Sequence, residues 1–284
     1  MSISPHNSAQ DFLRWLDSQP DTDQASTARV LLLAAHPDDE TIGASALLSR
    51  VQDVTVAFLT DGAPHDPGLR STLCNGTRES YAAMRAKEAA CALDLVGIGS
   101  PRIQFLGGTD QQSIFEVPRL RESLIDLVQD FQPSFVVTHP YEGGHPDHDT
   151  AALIAQLCVH LAEQRGLQIP ALLEMTSYHA RQGKRVIGEF LPNTGTIPEL
   201  ILGLSPKERA TKAQMLRCYI SQQAVLSDFP VEPERLRVAP GYDLSVPPHE
   251  GTLWYECLNW PITGARWRET AMEALEHYRH LSCH

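Results

Sequence analysis

Short apolar runs alternate with helix-like segments through the first 180 residues of the chain. The first run, VLLLAA at 30–35, is apolar throughout, which is typical of a parallel strand covered on both faces. Five strands are expected, at 30–35, 54–60, 102–106, 134–138 and 172–178, with helices at 40–51, 78–95, 117–131 and 147–164. This alternation predicts βαβ units, and therefore an α/β, Rossmann-like three-layer α/β/α sandwich with a mostly parallel sheet.

The alternation weakens beyond residue 180. A helix is predicted at 205–225, where Ser205 and Glu208 have the spacing of a capping box. Several prolines between 228 and 250 predict a loop-rich stretch, and a last helix is expected at 267–281. Because no linker separates independent parts, we expect a single domain over the whole chain. Its core would span about 28–225, and a loop-rich C-terminal appendage about 226–284.

Charge and composition exclude several classes of partner. The formal net charge of −12 argues against nucleic acid and against an anionic membrane surface, since both select clustered Lys and Arg. No run approaches the roughly 18–20 apolar residues of a membrane span. The first 25 residues also lack the basic start and apolar middle of a secretory signal, so a cytoplasmic location is expected. The six cysteines are widely spaced and are interpreted as reduced thiols. A homo-oligomer remains possible.

Two motifs rich in His, Pro and Asp follow apolar strands. The first is HPDDE at 36–40, and the second is HPYEGGHPDHD at 139–149. Because open α/β sheets bind ligands at the carboxyl ends of their strands, both loops are expected in one crevice. The ionisable side chains that they would bring together are His36, Asp38, Asp39, His145, Asp147 and His148. Imidazole and carboxylate are the ligands that zinc accepts in open catalytic sites. The carboxylates could instead cap helix N-termini, but two matching loops favour a metal site.

These motifs resemble those of the LmbE-like, or PIG-L, family of zinc-dependent N-deacetylases, which act on compounds that contain N-acetylglucosamine. The resemblance covers about 28–225, and the sequence TDG at 60–62 and the helix with Arg85 and Glu88 also fit it. It implies that one Zn²⁺ per chain is held by His36, Asp39 and His148.

The resemblance also implies catalytic roles. Asp38 would be the general base, and His145 would stabilise the oxyanion and protonate the leaving amine. Asp147 would hold His145 in its useful tautomer. These roles agree with the needs of amide hydrolysis, in which a metal lowers the pKa of bound water to about 7 and a nearby base takes its proton. Fe²⁺ or Co²⁺ could replace Zn²⁺, because all three accept His and carboxylate ligands.

Contacts to the rest of the substrate are less clearly indicated. Candidates in loops near the two motifs are Asp61, Arg70, Tyr141 and Glu142. Some members of the family have a tyrosine just before the His that corresponds to His145, where this chain has Gly143-Gly144. Arg85 and Glu88 have the spacing of an ordinary helical ion pair. The C-terminal aromatic residues are candidates for a wall that contacts a sugar, although ordinary packing also explains them.

The preferred function is removal of an acetyl group from the amide nitrogen of an N-acetylated amino-sugar or its conjugate, a small-molecule partner. An amidase that cleaves a larger acyl group or a thiol-conjugate amide would use the same metal site. A non-enzymatic nucleotide-binding or scaffold protein is a third alternative. It is disfavoured because neither GxGxxG nor GxxxxGK[ST] follows a strand.

Overall fold

The computed structural model describes residues 8–18, 26, 28–74, 76–192 and 197–281. Nine strands lie in this part of the chain: β1 (Arg29–Ala34), β2 (Asp53–Thr60), β3 (Ile103–Gly108), β4 (Phe135–Thr138), β5 (Ala171–Met175), β6 (Tyr178–Arg181), β7 (Lys184–Ile187), β8 (Glu199–Leu202) and β9 (Glu234–Val238). Seven of them form the central sheet, in the order β3-β2-β1-β4-β5-β9-β8. The first five strands are parallel, and β9 and β8 extend the sheet in antiparallel pairing. The strands β6 and β7 form a separate hairpin.

Helices cover both faces of the sheet. They are α1 (Ala9–Asp17), α2 (Asp39–Arg50), α3 (Arg78–Asp94), α4 (Val117–Phe131), α5 (Pro146–Gln164), α6 (Pro206–Cys218), α7 (Gln223–Leu226), α8 (Trp254–Cys257) and α9 (Gly264–Leu281). Side chains of α1, α2, α3 and α6 pack in one core cluster, and those of α4, α5 and α9 in another. In β1, Leu32 belongs to the first cluster and Leu31 and Leu33 to the second, which explains the unbroken apolar run. The predicted three-layer fold is confirmed.

The order of the strands places the two motifs side by side. β1 and β4 are parallel neighbours, with Leu32 opposite Val137. Both strands therefore end at the same edge of the sheet, where β1 leads into α2 and β4 leads into α5. None of the described helices has the length and apolar character required to cross a bilayer.

The helix predicted at 205–225 is interrupted. The capping box of Ser205 and Glu208 is present, but α6 ends at Cys218 and Tyr219 leaves the helical conformation. The hydroxyl of Tyr219 donates a hydrogen bond to Glu40 in the core, and a 3₁₀ turn at Ile220–Gln222 follows. This buried contact holds the backbone away from a straight helical path. The strand predicted at 172–178 also ends earlier, at Met175.

The strand β9 follows the expected boundary between core and appendage near residue 225, and it lies inside the central sheet between β5 and β8. Its sequence, ERLRV, looks too polar for a buried strand. The structure buries Glu234 against Lys212 and Arg237 against Glu174, with ion pairs of 2.8 Å each. The loop-rich appendage therefore begins after β9.

Candidate active site

The first motif turns sharply between β1 and α2. Asp38 has φ 124°, a conformation that costs a residue with a side chain on the order of 1–3 kcal/mol. The backbone N–H of Asp38 donates to Glu40, and the N–H of His36 donates to Asp39 at 2.8 Å. The carboxylates of Glu40 and Asp39 thus stabilise the strained turn by accepting hydrogen bonds from its backbone. The turn leaves His36, Asp38 and Asp39 lining one cavity.

The second motif is fixed by close backbone packing. A Cβ on Gly144 would lie 1.9 Å from the carbonyl oxygen of Tyr178, so only glycine fits there. His145 then caps α5, and its Nδ1 accepts the backbone N–H of Asp147 at 3.1 Å. Because Nδ1 is an acceptor, a neutral His145 carries its proton on Nε2. Burial, followed by the proximity of His36, holds the pKa of His145 well below its usual range.

The three residues expected to hold the metal lie together. Asp39 lies between the two histidines, with Oδ2 3.3 Å from His36 Nδ1 and Oδ1 3.3 Å from His148 Nε2. Nitrogen atoms of His36, His145 and His148 lie within 4.8 Å of one another. Burial opposes the charge on Asp39, but His148 and His139 overcome it and keep its pKa well below the usual value. The carboxylate of Asp39 is therefore charged and available as a ligand.

Two further residues belong to this cluster and were not predicted. Asp110, in the loop after β3, has Oδ1 3.4 Å from His36 Nε2 and 3.8 Å from His145 Nε2. His139, directly after β4, accepts the N–H of Ala35 and stacks on His148 at 4.0 Å between ring centroids. Asp110 follows a strand at the same edge of the sheet as both motifs, and this position was a usable signal for it.

Asp147 does not hold His145 through its carboxylate. The carboxylate accepts hydrogen bonds from the backbone N–H of Gln111 at 2.6 Å and from the hydroxyl of Ser113 at 2.5 Å. It also lies 3.0 Å from Nε2 of His36, compared with 3.8 Å from Nδ1 of His145. The contact to His145 comes instead from the backbone N–H of Asp147. The side chain of Asp147 thus positions His36, which the sequence did not indicate.

Arg85 pairs with Asp38 and not with Glu88, the partner suggested by helical spacing. Its Nη1 and Nη2 each lie 3.3 Å from Oδ2 of Asp38, and Nη2 also donates to the carbonyl of Pro37. Glu88 instead accepts hydrogen bonds from Ser221. Burial raises the pKa of Asp38 to about 7, against the opposing effect of Arg85.

The predicted substrate contacts lie away from the cluster. Asp61 pairs with Arg78 at 2.6 Å, and Arg70 donates to two carbonyls of its own loop. Tyr141 donates to the carbonyl of Val246, and Glu142 pairs with Arg237, in a different cavity. None of these four candidates lines the cavity at the His–Asp cluster. Their side chains are held by structural contacts instead.

The cavity above the cluster has a volume of about 300 Å³. Its floor carries His36, Asp38, Asp39, Asp110 and His145. Its walls combine hydrogen-bonding and aromatic groups, namely Tyr81, Arg185, Gln222, Phe229, Trp254 and Trp260. Trp254 and Trp260 come from the C-terminal region, whereas Trp267 is fully buried. The region predicted as an appendage therefore completes the wall of the site.

Residues 31–159 match the profile of a protein family described as PIG-L: GlcNAc-PI de-N-acetylase. The 1D-myo-inositol 2-acetamido-2-deoxy-alpha-D-glucopyranoside deacetylase of Nocardia farcinica is 30% identical over 169 residues, which are 51% of this chain and 56% of that protein. The probable N-acetyl-alpha-D-glucosaminyl L-malate deacetylase 2 of Bacillus subtilis is 31% identical over 124 residues, or 42% of this chain and 55% of that protein. The chain spans just over half the length of these curated relatives.

Solved structures support the fold. A deacetylase of teicoplanin biosynthesis, in complex with bog, has a TM-score of 0.57 and 17% identity, covering 76% of this chain and 99% of that one. The N,N'-diacetylchitobiose deacetylase of Pyrococcus horikoshii has a TM-score of 0.50 and 19% identity, covering 80% and 85%. At these identities the likeness establishes the shared architecture alone.

Proposed function

We propose that this chain, which belongs to the PIG-L family through residues 31–159, is a metal-dependent hydrolase that removes an acetyl group from an N-acetylated amino-sugar or its conjugate. The observation that carries the proposal is the meeting of two loops on one cavity floor. His36, Asp38 and Asp39 come to this floor from the first loop, and His145 comes from the second. His148, also from the second loop, has Nε2 3.3 Å from Oδ1 of Asp39. This set offers metal ligands, a carboxylate base and an imidazole donor within reach of one bound amide.

The residues present fit a divalent metal ion. Oδ1 of Asp110 is buried and has no hydrogen-bond partner in the described part of the chain, although it lies next to His36. Despite burial, the carboxylates around His36, Asp110 first among them, hold its pKa well above the usual value, so the surroundings favour a positive charge. His36, Asp39 and His148 would hold the ion, with Zn²⁺ as the expected metal. When bound, such an ion polarises the amide carbonyl and acidifies water.

Asp38 is the proposed general base. Its carboxyl group lines the cavity beside Asp39, and Arg85 holds it from the opposite side. A base works best when its pKa is near the working pH, and burial raises the pKa of Asp38 to about 7. Asp38 would take a proton from the attacking water. It would also return this proton to the amine nitrogen as the C–N bond breaks, a step for which the family resemblance suggested His145.

His145 is the proposed donor to the carbonyl oxygen. The N–H of Asp147 occupies Nδ1, so Nε2–H is the group free to bond a substrate. The ring is held edge-on against Trp260, at 4.7 Å between centroids, and lies T-shaped to His36 at 4.4 Å. A donor fixed in this way stabilises charge that develops on the oxygen without having to reorganise.

The cavity walls suit a sugar ring. Trp254 and Trp260 offer aromatic surface, and Gln222 and Arg185 offer hydrogen-bond donors. Flat apolar faces combined with polar groups are what a pyranose, with its C–H face and hydroxyl rim, can use. The names of the relatives refer to acetylated glucosamine derivatives, which supports the same substrate class.

An amidase for a longer acyl chain is the second candidate function. Three exposed apolar side chains, Leu69, Val225 and Leu258, also line the cavity. Apolar groups that remain exposed at a cavity mouth gain stability when an apolar part of a ligand covers them. Amine release from N-acetylglucosamine and from its longer N-acyl analogues would separate the two candidates.

The main experiment measures metal content and amine release on the same protein. Purified chain is assayed with N-acetylglucosamine conjugates before chelation, after it, and after Zn²⁺ is returned. We expect about one metal ion per chain, loss of activity on chelation and recovery with metal. A chain that neither contains nor takes up metal would contradict the proposal, and so would amine release that chelation leaves unchanged.

A further inference from the structure

Two cysteines that are 127 positions apart in the sequence meet on the surface. Cys91 lies near the end of α3 and Cys218 is the last residue of α6, and their Sγ atoms are 2.8 Å apart. Cys91 is exposed and Cys218 is partly buried, so a reagent in solution can reach the pair through Cys91. A disulfide bond requires about 2.05 Å between the sulfurs, so a small side-chain adjustment would suffice.

The two cysteines flank a polar contact that supports the wall of the candidate active site. Glu88 precedes Cys91 by one helical turn, and Ser221 follows Cys218 by three residues. The backbone N–H and the hydroxyl of Ser221 both donate to Glu88, at 2.7 and 2.6 Å. The next residue, Gln222, lines the cavity. A covalent link between the cysteines would therefore fasten the turn carrying Gln222 to α3.

The other cysteines that the structure describes provide a comparison. Cys158 is a buried residue of α5, and Cys257 is exposed. Cys74 lies 3.7 Å from the hydroxyl of Ser80, which is a contact to oxygen and not to sulfur. Among the described residues, only Cys91 and Cys218 form a short Sγ–Sγ contact. This pairing distinguishes a two-thiol site from isolated surface thiols.

We propose that Cys91 and Cys218 are a site of reversible disulfide formation, with a small organic disulfide as the oxidant. The thiolate of Cys91 attacks one sulfur of the oxidant RSSR, whose S–S bond breaks to release RS⁻, which takes up a proton. Cys218 loses its proton and attacks Sγ of Cys91, which releases the second RSH. The chain is oxidised by two electrons and one RSSR is reduced to two RSH, so the exchange is balanced.

The test uses the reduced full-length chain and oxidised glutathione. After the remaining thiols are trapped with an alkylating reagent, we expect the intact protein to carry two fewer alkyl groups than the reduced chain treated in the same way. Digestion should give a peptide pair joining Cys91 to Cys218. Reduction with dithiothreitol should restore both thiols. In the oxidised chain, the N–H of Ser221 should exchange with deuterium more slowly, because its contact with Glu88 is fastened.

Single variants separate a built site from general thiol reactivity. Cys218→Ser should stop at a glutathione adduct on Cys91, since no second thiol resolves it. Cys257→Ser, which removes another exposed thiol, should still form the cross-link at the wild-type rate. The proposal would be overturned if wild-type chain accumulated a stable adduct on Cys91, or if Cys91 and Cys257 reacted equally without a cross-link. It does not depend on the catalytic assignment.

Discussion

The guanidinium group of Arg85 lies 3.3 Å from the carboxylate of Asp38, although the two residues are 47 positions apart. Arg85 is on α3, whereas Asp38 is in the turn that follows β1. Both side chains are buried at the base of the cavity. A buried carboxylate with such a partner is held in one orientation, which is what a base acting on one water molecule needs.

Replacing Arg85 should therefore lower turnover without removing the metal. Arg85→Met leaves Asp38 buried, unpaired and free to rotate, and we expect kcat to fall roughly 10- to 100-fold, in the range of lost supporting contacts. Arg85→Lys should recover part of it, because lysine restores the charge but not the two-pronged geometry. Arg209→Met, which breaks an exposed pair with Glu232, serves as control. Full turnover in Arg85→Met would refute a positioning role.

The neighbouring carboxylates Asp38 and Asp39 should respond differently to the same change. Asp38→Asn is expected to keep bound metal and to lose about 10²- to 10⁴-fold in kcat, the usual contribution of a general base. Asp39→Asn should instead lose metal, because Asp39 lies between His36 and His148. Metal content and kcat measured on both variants would decide the matter. Loss of metal in Asp38→Asn would make Asp38 a ligand.

Asp110→Asn tests one of the two cluster residues that were not predicted from the sequence. Its carboxylate contributes negative charge next to His36, so we expect metal affinity to fall roughly 10- to 100-fold. A competition titration with a chelating dye would measure the change. Asp130→Asn, an exposed carboxylate on α4, is the matched control and should bind metal as wild type does. Unchanged affinity in Asp110→Asn would place Asp110 outside the metal centre.

The placement of β9 in the sheet can be tested through stability. Leu236 is fully buried between β5 and β8, so Leu236→Ala should lower the free energy of unfolding by about 2–5 kcal/mol. Val246→Ala removes an exposed side chain of the following loop, and its effect should stay within about 0.5 kcal/mol. Denaturant unfolding of both variants gives the comparison. Equal, small effects would mean that this strand lies outside the core.

A pH dependence of stability is expected from Glu142, which is buried beside Arg237. Burial raises its pKa from 4.5 to about 8, against the effect of Arg237. The folded chain thus binds the proton more tightly than the unfolded chain does. The resulting stabilisation is fully present below pH 4.5 and is lost as the pH rises through about 8. Over this pH interval, the free energy of unfolding of the Glu142→Gln variant should decrease less steeply than that of wild type. The Glu122→Gln variant, which is changed at a partly exposed site, should follow wild type. Identical slopes for Glu142→Gln and wild type would contradict the shifted pKa.

Much of the fold and part of the site could be predicted from the sequence, because the signals were local. The apolar run of β1 identified a strand covered on both faces, and the position of each motif after a strand brought His36 and His148 to one edge. Asp39 and Asp38 followed from the same turn. These inferences required only periodicity and the rule that parallel strands end at one edge of the sheet.

What the sequence did not predict depends on pairing between distant residues. The strand β9 reads as polar until Lys212 and Glu174 are placed against its charged side chains. Helical spacing suggested Glu88 as the ion-pair partner of Arg85, but in the folded chain Arg85 pairs with Asp38. Likewise, the contact between Asp147 and His36 depends on how two distant loops meet, and spacing along the sequence does not predict it.

The positive φ of Asp38 has an evolutionary consequence. Glycine adopts this conformation freely, so exchanging Asp38 for glycine would relax the turn while deleting the proposed base. The proposed role of Asp38 as the base would set selection for turnover against mutational drift toward a more stable fold at this position. In a homologue that has lost catalytic activity this constraint would be absent, and we expect glycine in place of this aspartate.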